Sequence, residues 1–585
     1  MTSAAKFQGR LLLGSRSGGL VLYDTEKYDI PICSWIPDNT GDAITTILNL
    51  SDPASNSNYF LTTSRDGRYC IFCLRFSSNI SISLIHQAAP PFGPMIEAAW
   101  FSGGDLFLYG FKSKNFIVWN ETRQCEVSSV ECGGAHRSYA YSPRNGSNGA
   151  GYFIYTKASK LYLHSQSKPS HQIIKSGGHG REIKACAVSD DGLIATGAED
   201  TAIRIWRYGE QFDCLAVVRK HTTGIQHLQW HGSNYLFSSG GNEEFFIWAV
   251  EPIPGFGVGV VCEASCPDQS EEKDLRIMSF DVSLLEGSNS PNESSLLFIS
   301  LAYSDSTIKV YTYSKKDNFN LLAKNRYTSC CLTQLRHLEV QGNAVSLLTA
   351  ATDGNLTIWK ATISESHFSG ATNRSIPEDD SAVDSSTDVE DSSLDRSVKF
   401  SGSLVNLLNE MNGSSIDPSN QLSFLSTHKV HQSSIKSLDI ARIHNRVAVA
   451  TGGDDNALAI TVYDAIDTRP ESTILRSAHA AAITGLSFVL KASAGELSIV
   501  TSGNDQRVKE WRIDASRLNR SEGLEDLTPN HSSKTNDSVG INKKGDVFTS
   551  IADVADLTTL MHSLGDKRVL VVGNGMEVYE VSMAT

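Results

Sequence analysis

Short runs of alternating apolar and polar residues recur along the chain. Each follows a small polar cluster and a turn residue, and each ends in Trp, Tyr or Phe. The clearest copy is Thr196-Gly197-Ala198-Glu199-Asp200-Thr201-Ala202-Ile203-Arg204-Ile205-Trp206. Others end at Tyr23, Phe72, Trp119, Trp248, Tyr311, Trp359, Tyr463 and Trp511, with weaker copies at Lys160-Leu161-Tyr162-Leu163 and Gly575-Met576-Glu577-Val578-Tyr579. Where no insertion intervenes, the tails fall 42 to 49 residues apart. Period-two alternation places successive side chains on opposite faces of a strand. The recurring Val, Ile and Thr favour short strands, and the Gly, Asp and Ser between them favour tight turns. The expected fold class is all-β.

A period in the forties with aromatic tails is the signature of four-stranded propeller blades. A single blade cannot bury both of its faces, whereas stacking around a ring buries them and leaves only short edges. Seven units follow residue 170, with tails at Trp206, Trp248, Tyr311, Trp359, Tyr463, Trp511 and Tyr579. They predict a complete seven-bladed ring over 170–585. Residues 1–169 hold about four more units, a partial propeller. The first of these offers only Arg10–Leu13 and Leu20–Tyr23 as strands, so the chain is expected either to begin inside a longer propeller or to borrow a strand.

Three copies carry a polar set that resembles the WD repeat. In one, His179, Thr196, Asp200 and Trp206 match the family's His, Ser/Thr, Asp and Trp positions. In another, His479, Thr501, Asp505 and Trp511 match. The third has His221, Ser238 and Trp248, with Asn242 at the Asp position. The resemblance implies that Asp holds His in a tight turn, that His bonds the hydroxyl, and that the hydroxyl meets the Trp N–H. Such bonds satisfy groups that would each cost about 1–3 kcal/mol if buried unpaired. A hydrolase triad uses the same residue types, but a nucleophile would occur once, beside an oxyanion hole; recurrence with Trp favours the structural role. The copy ending at Trp359 has Thr349 and Asp353 but no evident His.

Charge is unevenly spread. The formal net charge is −14, and residues 361–426 contribute −8 of it through eleven Asp or Glu against three Lys or Arg. This Ser- and Asp-rich stretch cannot bury enough apolar surface to offset its ordering entropy, and it is expected to be a disordered loop interrupting the ring. Inside it, Leu404, Leu407, Leu408 and Met411 fall on one helical face behind Ser403, a suitable N-cap. This helix would be transient, docked on its own ring, or a site for a partner. The chain lacks the strongly basic balance of an autonomous nucleic-acid binder. Modest basic clusters remain at His136-Arg137, at Arg181 with Lys184, at Arg204 with Arg207 and at Lys220-His221. Solvated surface is their simplest reading, and His136, Arg137, Arg181 and Lys184 are the candidate RNA or partner contacts. No apolar run approaches the roughly 20 residues needed to cross a bilayer. The first residues lack a signal-peptide core, and the eleven cysteines form no framework of spacings. Reduced thiols and a cytoplasmic location are expected.

Other candidate chemistry is weak. Gly255-Phe256-Gly257-Val258-Gly259 resembles a nucleotide-binding glycine loop, but it follows Pro252 and Pro254 and no helix pattern comes after it. An inter-blade loop is expected instead. Cys70-Ile71-Phe72-Cys73 has CxxC spacing on an expected strand, where positions i and i+3 point to opposite faces, and no second pair completes a zinc site. Cys262 and Cys266 are equally isolated, and Cys330-Cys331 reads as core. No catalytic constellation, cofactor, metal or small-molecule substrate is expected.

Several stretches are more specific than a generic WD repeat. They are Glu131-Cys132-Gly133-Gly134-Ala135-His136-Arg137-Ser138-Tyr139, Gly178-His179-Gly180-Arg181-Glu182-Ile183-Lys184, Ser238-Ser239-Gly240-Gly241-Asn242-Glu243-Glu244, Thr328-Ser329-Cys330-Cys331-Leu332-Thr333-Gln334 and Gly573-Asn574-Gly575-Met576-Glu577-Val578. Together they resemble the C-terminal part of the WD-repeat, non-catalytic subunits of tRNA wobble-nucleotide 2′-O-ribose methyltransferase complexes, over most of the chain outside the acidic loop. The resemblance implies an adaptor that holds a methyltransferase partner and tRNA, the tRNA only within the complex, with S-adenosylmethionine belonging to the partner. It also implies further sequence on the N-terminal side in family members. A general protein-interaction scaffold, in trafficking or ubiquitin ligation, is the alternative reading of the same repeats.

Overall fold

The computed structural model describes residues 1–7, 9–27, 29–38, 41–50, 58–76, 79–144, 150–166, 178–270, 272–285, 296–341, 344–362, 421–443, 446–463, 470–490, 497–514, 540–561 and 567–580. Among them there is no helix, and the strands form eleven antiparallel sheets, nine of four strands and two of three.

The first four sheets are called A to D here. Sheet A comprises Ser3–Phe7, Arg10–Gly14, Leu20–Asp24 and Pro31–Trp35. This corrects the expectation of a broken first unit. The low-contrast runs at 3–7 and 31–35 become strands through pairing rather than through their own alternation, Ala5 opposite Leu12 and Cys33 opposite Leu22. Sheet B runs through Ile44–Asn49, Asn58–Ser64, Tyr69–Phe76 and Ile80–Ala88. Sheet C runs through Met95–Ser102, Asp105–Lys112, Asn115–Asn120 and Cys125–Glu131. Sheet D has three strands, Tyr139–Pro143, Gly151–Lys157 and Lys160–Gln166. Phe116 of sheet C stacks on Phe153 of sheet D at 3.8 Å between ring centroids, within an aromatic cluster that also holds Phe111, Tyr139 and Tyr141.

Seven further sheets form a ring and are called blades 1 to 7. Their innermost strands are Ile183–Val188, Ile225–His231, Ile277–Leu284, Leu332–Gln341, Ile435–Ile443, Ile483–Leu490 and Asp556–Met561. Each packs on the next, and the seventh packs on the first. Polar side chains stitch several of these seams. The backbone N–H of His337 donates to Asp281 at 2.7 Å, and that of Phe488 to Asp439 at 2.7 Å. The N–H of Cys186 donates to Asp556 at 3.0 Å, joining blade 7 to blade 1 across 370 residues. Burial pushes the Asp556 carboxyl up to about 6, although the N–H groups of Cys186 and Leu557 favour its charged form. An axial cavity of about 360 Å³ is lined by these carboxylates together with Lys184, Arg336 and Lys436.

The middle strands of a blade bury both faces, so Leu297–Tyr303 and Thr307–Ser314 are covered along their whole length. Continuous apolar character follows from this position, whereas a strand with one solvated face shows alternation. The acidic stretch needs a correction at both ends. The third strand of blade 4 continues through Thr362, and Gln421–Lys429 is that blade's outermost strand, Trp359 lying opposite Phe424. Leu404, Leu407, Leu408 and Met411 lie outside the described residues.

Sheet B meets the ring through its outermost strand, Ile80–Ala88, which packs on the outermost strand of blade 2, Gly257–Ser265. The glycine run at 255–259 finds its explanation here. It is the hairpin between the third and fourth strands of blade 2 rather than an inter-blade loop. Gly255 and Gly257 take left-handed φ values of 75° and 117°. At Gly259 a Cβ would run into the Ile85 carbonyl oxygen, so glycine permits close approach of two backbones. Ile253 and Phe256 then join the core of sheets B and C beside Ile71, Phe92 and Trp119. The cysteines of the CxxC run separate, Cys70 packing against the core between sheets A and B and Cys73 against the core on the other face.

Candidate functional site

Each polar network begins in the turn before an innermost strand and ends on the third strand of the same blade. In blade 1, His179 Nδ1 lies 3.0 Å from each carboxylate oxygen of Asp200, and Nε2 lies 2.8 Å from Thr196 Oγ1. Trp206 Nε1–H donates to Thr196 Oγ1 at 2.7 Å. Asp200 also accepts from the N–H groups of Gly180 and Ala202 at 3.0 and 3.1 Å. Only one proton order satisfies every group: Trp206 donates to Thr196, Thr196 to Nε2, and Nδ1–H to Asp200. Burial alone would raise the Asp200 carboxyl, but these donors outweigh it and hold it at about 2.

Blade 6 repeats the arrangement. His479 Nδ1 lies 2.9 Å from Asp505, Nε2 lies 2.8 Å from Thr501, and Trp511 Nε1–H donates to Thr501 at 2.8 Å. Thr196 and Thr501 are fully buried. A hydroxyl that accepts from an indole, donates to an imidazole and meets no solvent holds two strands to a turn; it is not placed to attack a substrate.

Blade 2 corrects the assignment of Asn242. His221 Nδ1 lies 2.8 Å from Glu244, and Nε2 lies 2.8 Å from Ser238, which accepts from Trp248 Nε1–H at 2.8 Å. Glu244 also accepts from the Thr222 N–H at 3.0 Å and its hydroxyl at 2.6 Å. Asn242 sits in the left-handed region at φ 53° and donates to the Thr222 hydroxyl at 3.1 Å. The turn has the same length as in blade 1, Ser238 to Trp248 matching Thr196 to Trp206, but the acceptor sits two positions later and its longer side chain reaches back to His221. Burial lowers the His221 imidazole, with Glu244 opposing. Glu244→Ala is therefore expected to destabilise the chain by about 1–3 kcal/mol, the cost of leaving a buried imidazole N–H unpaired. Asn242→Gly, which takes the left-handed φ without strain, should change stability by less than about 0.5 kcal/mol. Chemical denaturation of the two variants separates the assignments.

One further network escaped the sequence pattern, and another was read only in part. In blade 5, His431 Nδ1 lies 2.8 Å from Asp455 and Nε2 lies 2.9 Å from Thr451. Here Thr461, opposite Val449, stands where Trp would, and its hydroxyl lies 2.9 Å from that of Ser472 instead. In blade 4, Trp359 Nε1–H donates to Thr349 at 2.9 Å, and Asp353 accepts at 2.8 Å from the hydroxyl of Tyr327, which takes the place of His. The four-residue step from Thr to Asp, as in Thr196 to Asp200, recurs at Thr451 to Asp455 and was the available signal.

A different network lies where sheets B and C meet the ring. The Val260 N–H donates to His86 Nδ1 at 3.1 Å, and His86 Nε2 lies 3.1 Å from the Tyr69 hydroxyl. Tyr69 donates to Glu121 at 3.2 Å, and Trp119 Nε1–H donates to the other oxygen of Glu121 at 2.7 Å. Arg219 reaches Gln124 from the ring side. Of these, Tyr69, His86, Glu121 and Gln124 border a cavity of about 200 Å³, with Cys214 and Phe256 also in its wall. Burial holds His86 down at about 4. It raises Glu121, against the opposing charge of Arg219 and the Trp119 hydrogen bond. An N–H donor at Val260 fixes His86 as a neutral acceptor, so the junction is matched in polarity as well as in shape.

The four candidate contact residues lie on two separate sheets. His136 and Arg137 are exposed on the turn after the last strand of sheet C, where the Arg137 N–H donates to the Gly134 carbonyl at 3.2 Å. Arg181 is exposed just before the innermost strand of blade 1. Lys184 on that strand pairs with Glu182 at 2.7 Å and Glu199 at 3.5 Å, which engages the charge a phosphate would need. No group of His, Cys, Asp and Glu among the described residues could hold a metal ion. No helix among them is long and apolar enough to cross a membrane.

Comparison with known proteins places these features. Residues 170–207 match the WD domain, G-beta repeat family model. A 148-residue stretch is 30% identical to the tRNA (34-2′-O)-methyltransferase regulator WDR6 of Pongo abelii and 30% identical to that of Homo sapiens, covering 25% of this chain and 13% of each relative. The Bos taurus protein of the same name is 26% identical over 172 residues, 29% of this chain and 15% of the relative. The chain thus aligns with about an eighth of the length of these relatives. Among solved structures, the WD40 beta propeller domain of Doa1 aligns with 70% of this chain and 95% of its own, at 13% identity and a TM-score of 0.40. The chain is an all-β WD-repeat β-propeller protein, part of which is similar in sequence to proteins named as regulators of a tRNA methyltransferase.

Proposed function

We propose that the chain is a non-catalytic adaptor that positions tRNA and a partner methyltransferase for 2′-O-ribose methylation of the wobble nucleotide. The observation that carries this reading is the 30% identity over 148 residues to relatives named as regulators of that reaction. The physical logic agrees with it. The recurring His, Thr and Asp residues are spent on holding turns to strands, which leaves a stiff body with loops at both ends of its sheets. A rigid scaffold contributes position, and positioning alone can supply several kcal/mol toward a reaction barrier when another protein supplies the chemistry. The methyl donor belongs to the partner in this reading, and tRNA is met only within the complex.

Two measurements test it. Calorimetry of the purified chain with S-adenosylmethionine should show no binding, and tight binding would overturn the adaptor reading. Primer extension on tRNA from cells lacking the protein should show loss of wobble ribose methylation, restored by re-expression. Normal methylation in those cells would leave a general protein-interaction scaffold as the better account.

A further inference from the structure

Lys220 and Cys262 form a pair that none of the networks above uses. Lys220 lies in the connection after the outermost strand of blade 1, Phe212–Val218, one residue before His221. Its Nζ is 3.1 Å from Cys262 Sγ and 5.0 Å from the centroid of the Phe246 ring. Cys262 is half-buried on the outermost strand of blade 2, opposite Trp248 in register, and its Sγ lies 3.5 Å from the Ala264 carbonyl oxygen. An exposed ammonium ordinarily turns to carboxylate or water. Here it donates to sulfur, a weak acceptor, while the Phe246 ring holds the cation over its face. A nucleophilic amine and an oxidisable sulfur are thus kept in contact without any intervening group.

We propose that Lys220 and Cys262 join covalently on exposure to hydrogen peroxide, through a sulfenamide bond between Nζ and Sγ. The Cys262 thiolate attacks one peroxide oxygen, the O–O bond breaks and hydroxide leaves. Sulfur is oxidised to a sulfenic acid and peroxide is reduced. The uncharged Lys220 amine then attacks sulfur, the S–O bond breaks, and the departing hydroxide takes the amine proton as water. Thiol, amine and one peroxide become a sulfenamide and two waters, following the known condensation of sulfenic acids with nitrogen. Burial pushes the Cys262 thiol up, with the charge of Lys220 opposing. The first step therefore quickens as pH rises, through thiolate. A thiol reductant reverses the bond. The link would tie the connection before His221 to the strand that docks on sheet B, so oxidation would stiffen blade 2 beside the junction. This inference is independent of the proposed function.

The test is peptide mass spectrometry of the full chain after treatment with hydrogen peroxide under non-reducing conditions. A linked pair of peptides containing Lys220 and Cys262, lighter by two hydrogens than their sum and released by dithiothreitol, is the expected result. Lys220→Arg should abolish the linked pair and leave Cys262 sulfenic acid open to trapping by dimedone. Cys262→Ser should abolish both signals. The other ten cysteines serve as internal controls for peroxide reactivity. The proposal is overturned if Cys262 stays a thiol while other cysteines oxidise, or if it reaches sulfinic acid with Lys220 unlinked. A linked pair that retains an added oxygen would overturn the sulfur–nitrogen bond.

Discussion

Trp359→Ala is expected to lower the unfolding free energy by about 3–5 kcal/mol, the range for emptying a buried indole site. Trp359 is 2% exposed. Its ring meets Tyr327 and Phe424 edge-on, with centroids 6.4 and 5.7 Å away. It also packs in a core that spans blades 3 and 4, with Phe298 and Val310 on one side and Leu347 and Leu422 on the other. The hydrogen bond contributes less than the packing. Thr349 loses the indole N–H but keeps a contact with the Thr357 carbonyl oxygen at 3.5 Å, so its hydroxyl is not stranded, and a typical hydrogen bond is worth only about 1 kcal/mol net. Trp359→Phe, which refills much of the volume without the N–H, should recover more than half of the loss. Denaturation of both variants checks this order. Equal losses for Ala and Phe would show that the N–H bond, and not the volume, sets the cost.

Asp200→Ala should destabilise the chain by about 1–3 kcal/mol at neutral pH. Three donors lose their acceptor: His179 Nδ1–H and the N–H groups of Gly180 and Ala202. Gly180 is exposed and can turn to water, but the His179 side chain is only 1% exposed and cannot. The effect has a pH signature. The Asp200 carboxyl is held at about 2 in the fold against an ordinary value of 3.8. Its contribution is therefore present above about pH 4 and disappears as pH falls toward about 2, where both states are protonated. Thermal unfolding of wild type and variant should differ at neutral pH and converge across that acidic window. Identical stability at neutral pH would remove the structural role of this carboxylate.

Much of the ring was legible because its information is local and repeats. The aromatic tails, the four-residue step from hydroxyl to Asp and the small residues in the turns all sit within one blade. Where the pattern misled, a local change was responsible. The four-residue step lands on Asn242, but in a turn of the same length the acceptor is Glu244, two positions later. His431 was hidden because Thr461 occupies the position of Trp in its blade. The outermost strand of blade 4 was absorbed into the acidic stretch because 58 residues separate it from its partner strand. Sheet A was read as broken because Ser3–Phe7 and Pro31–Trp35 carry little alternation of their own. The junction was not legible at all. His86 and Val260 are 174 residues apart, and nothing in either neighbourhood names the other. Only the glycines at 255–259 hinted at a tight approach, and their first resemblance pointed to a nucleotide.

The seam at Asp556 sets an order of events during synthesis. The innermost strand of blade 1 finds its last neighbour only when Asp556–Met561 arrives, 370 residues after Cys186 has been made. Until then one flank of blade 1, with Ile194 and Trp206 in the core it shares with Leu560, Leu570 and Val572, stays uncovered. A ribosome-bound chain therefore carries a sticky apolar face while the next 370 residues are made. Long-range closure of this kind is slow and exposes the nascent chain to aggregation. The interval between making blade 1 and making blade 7 is thus the period in which this face is open to non-native contacts.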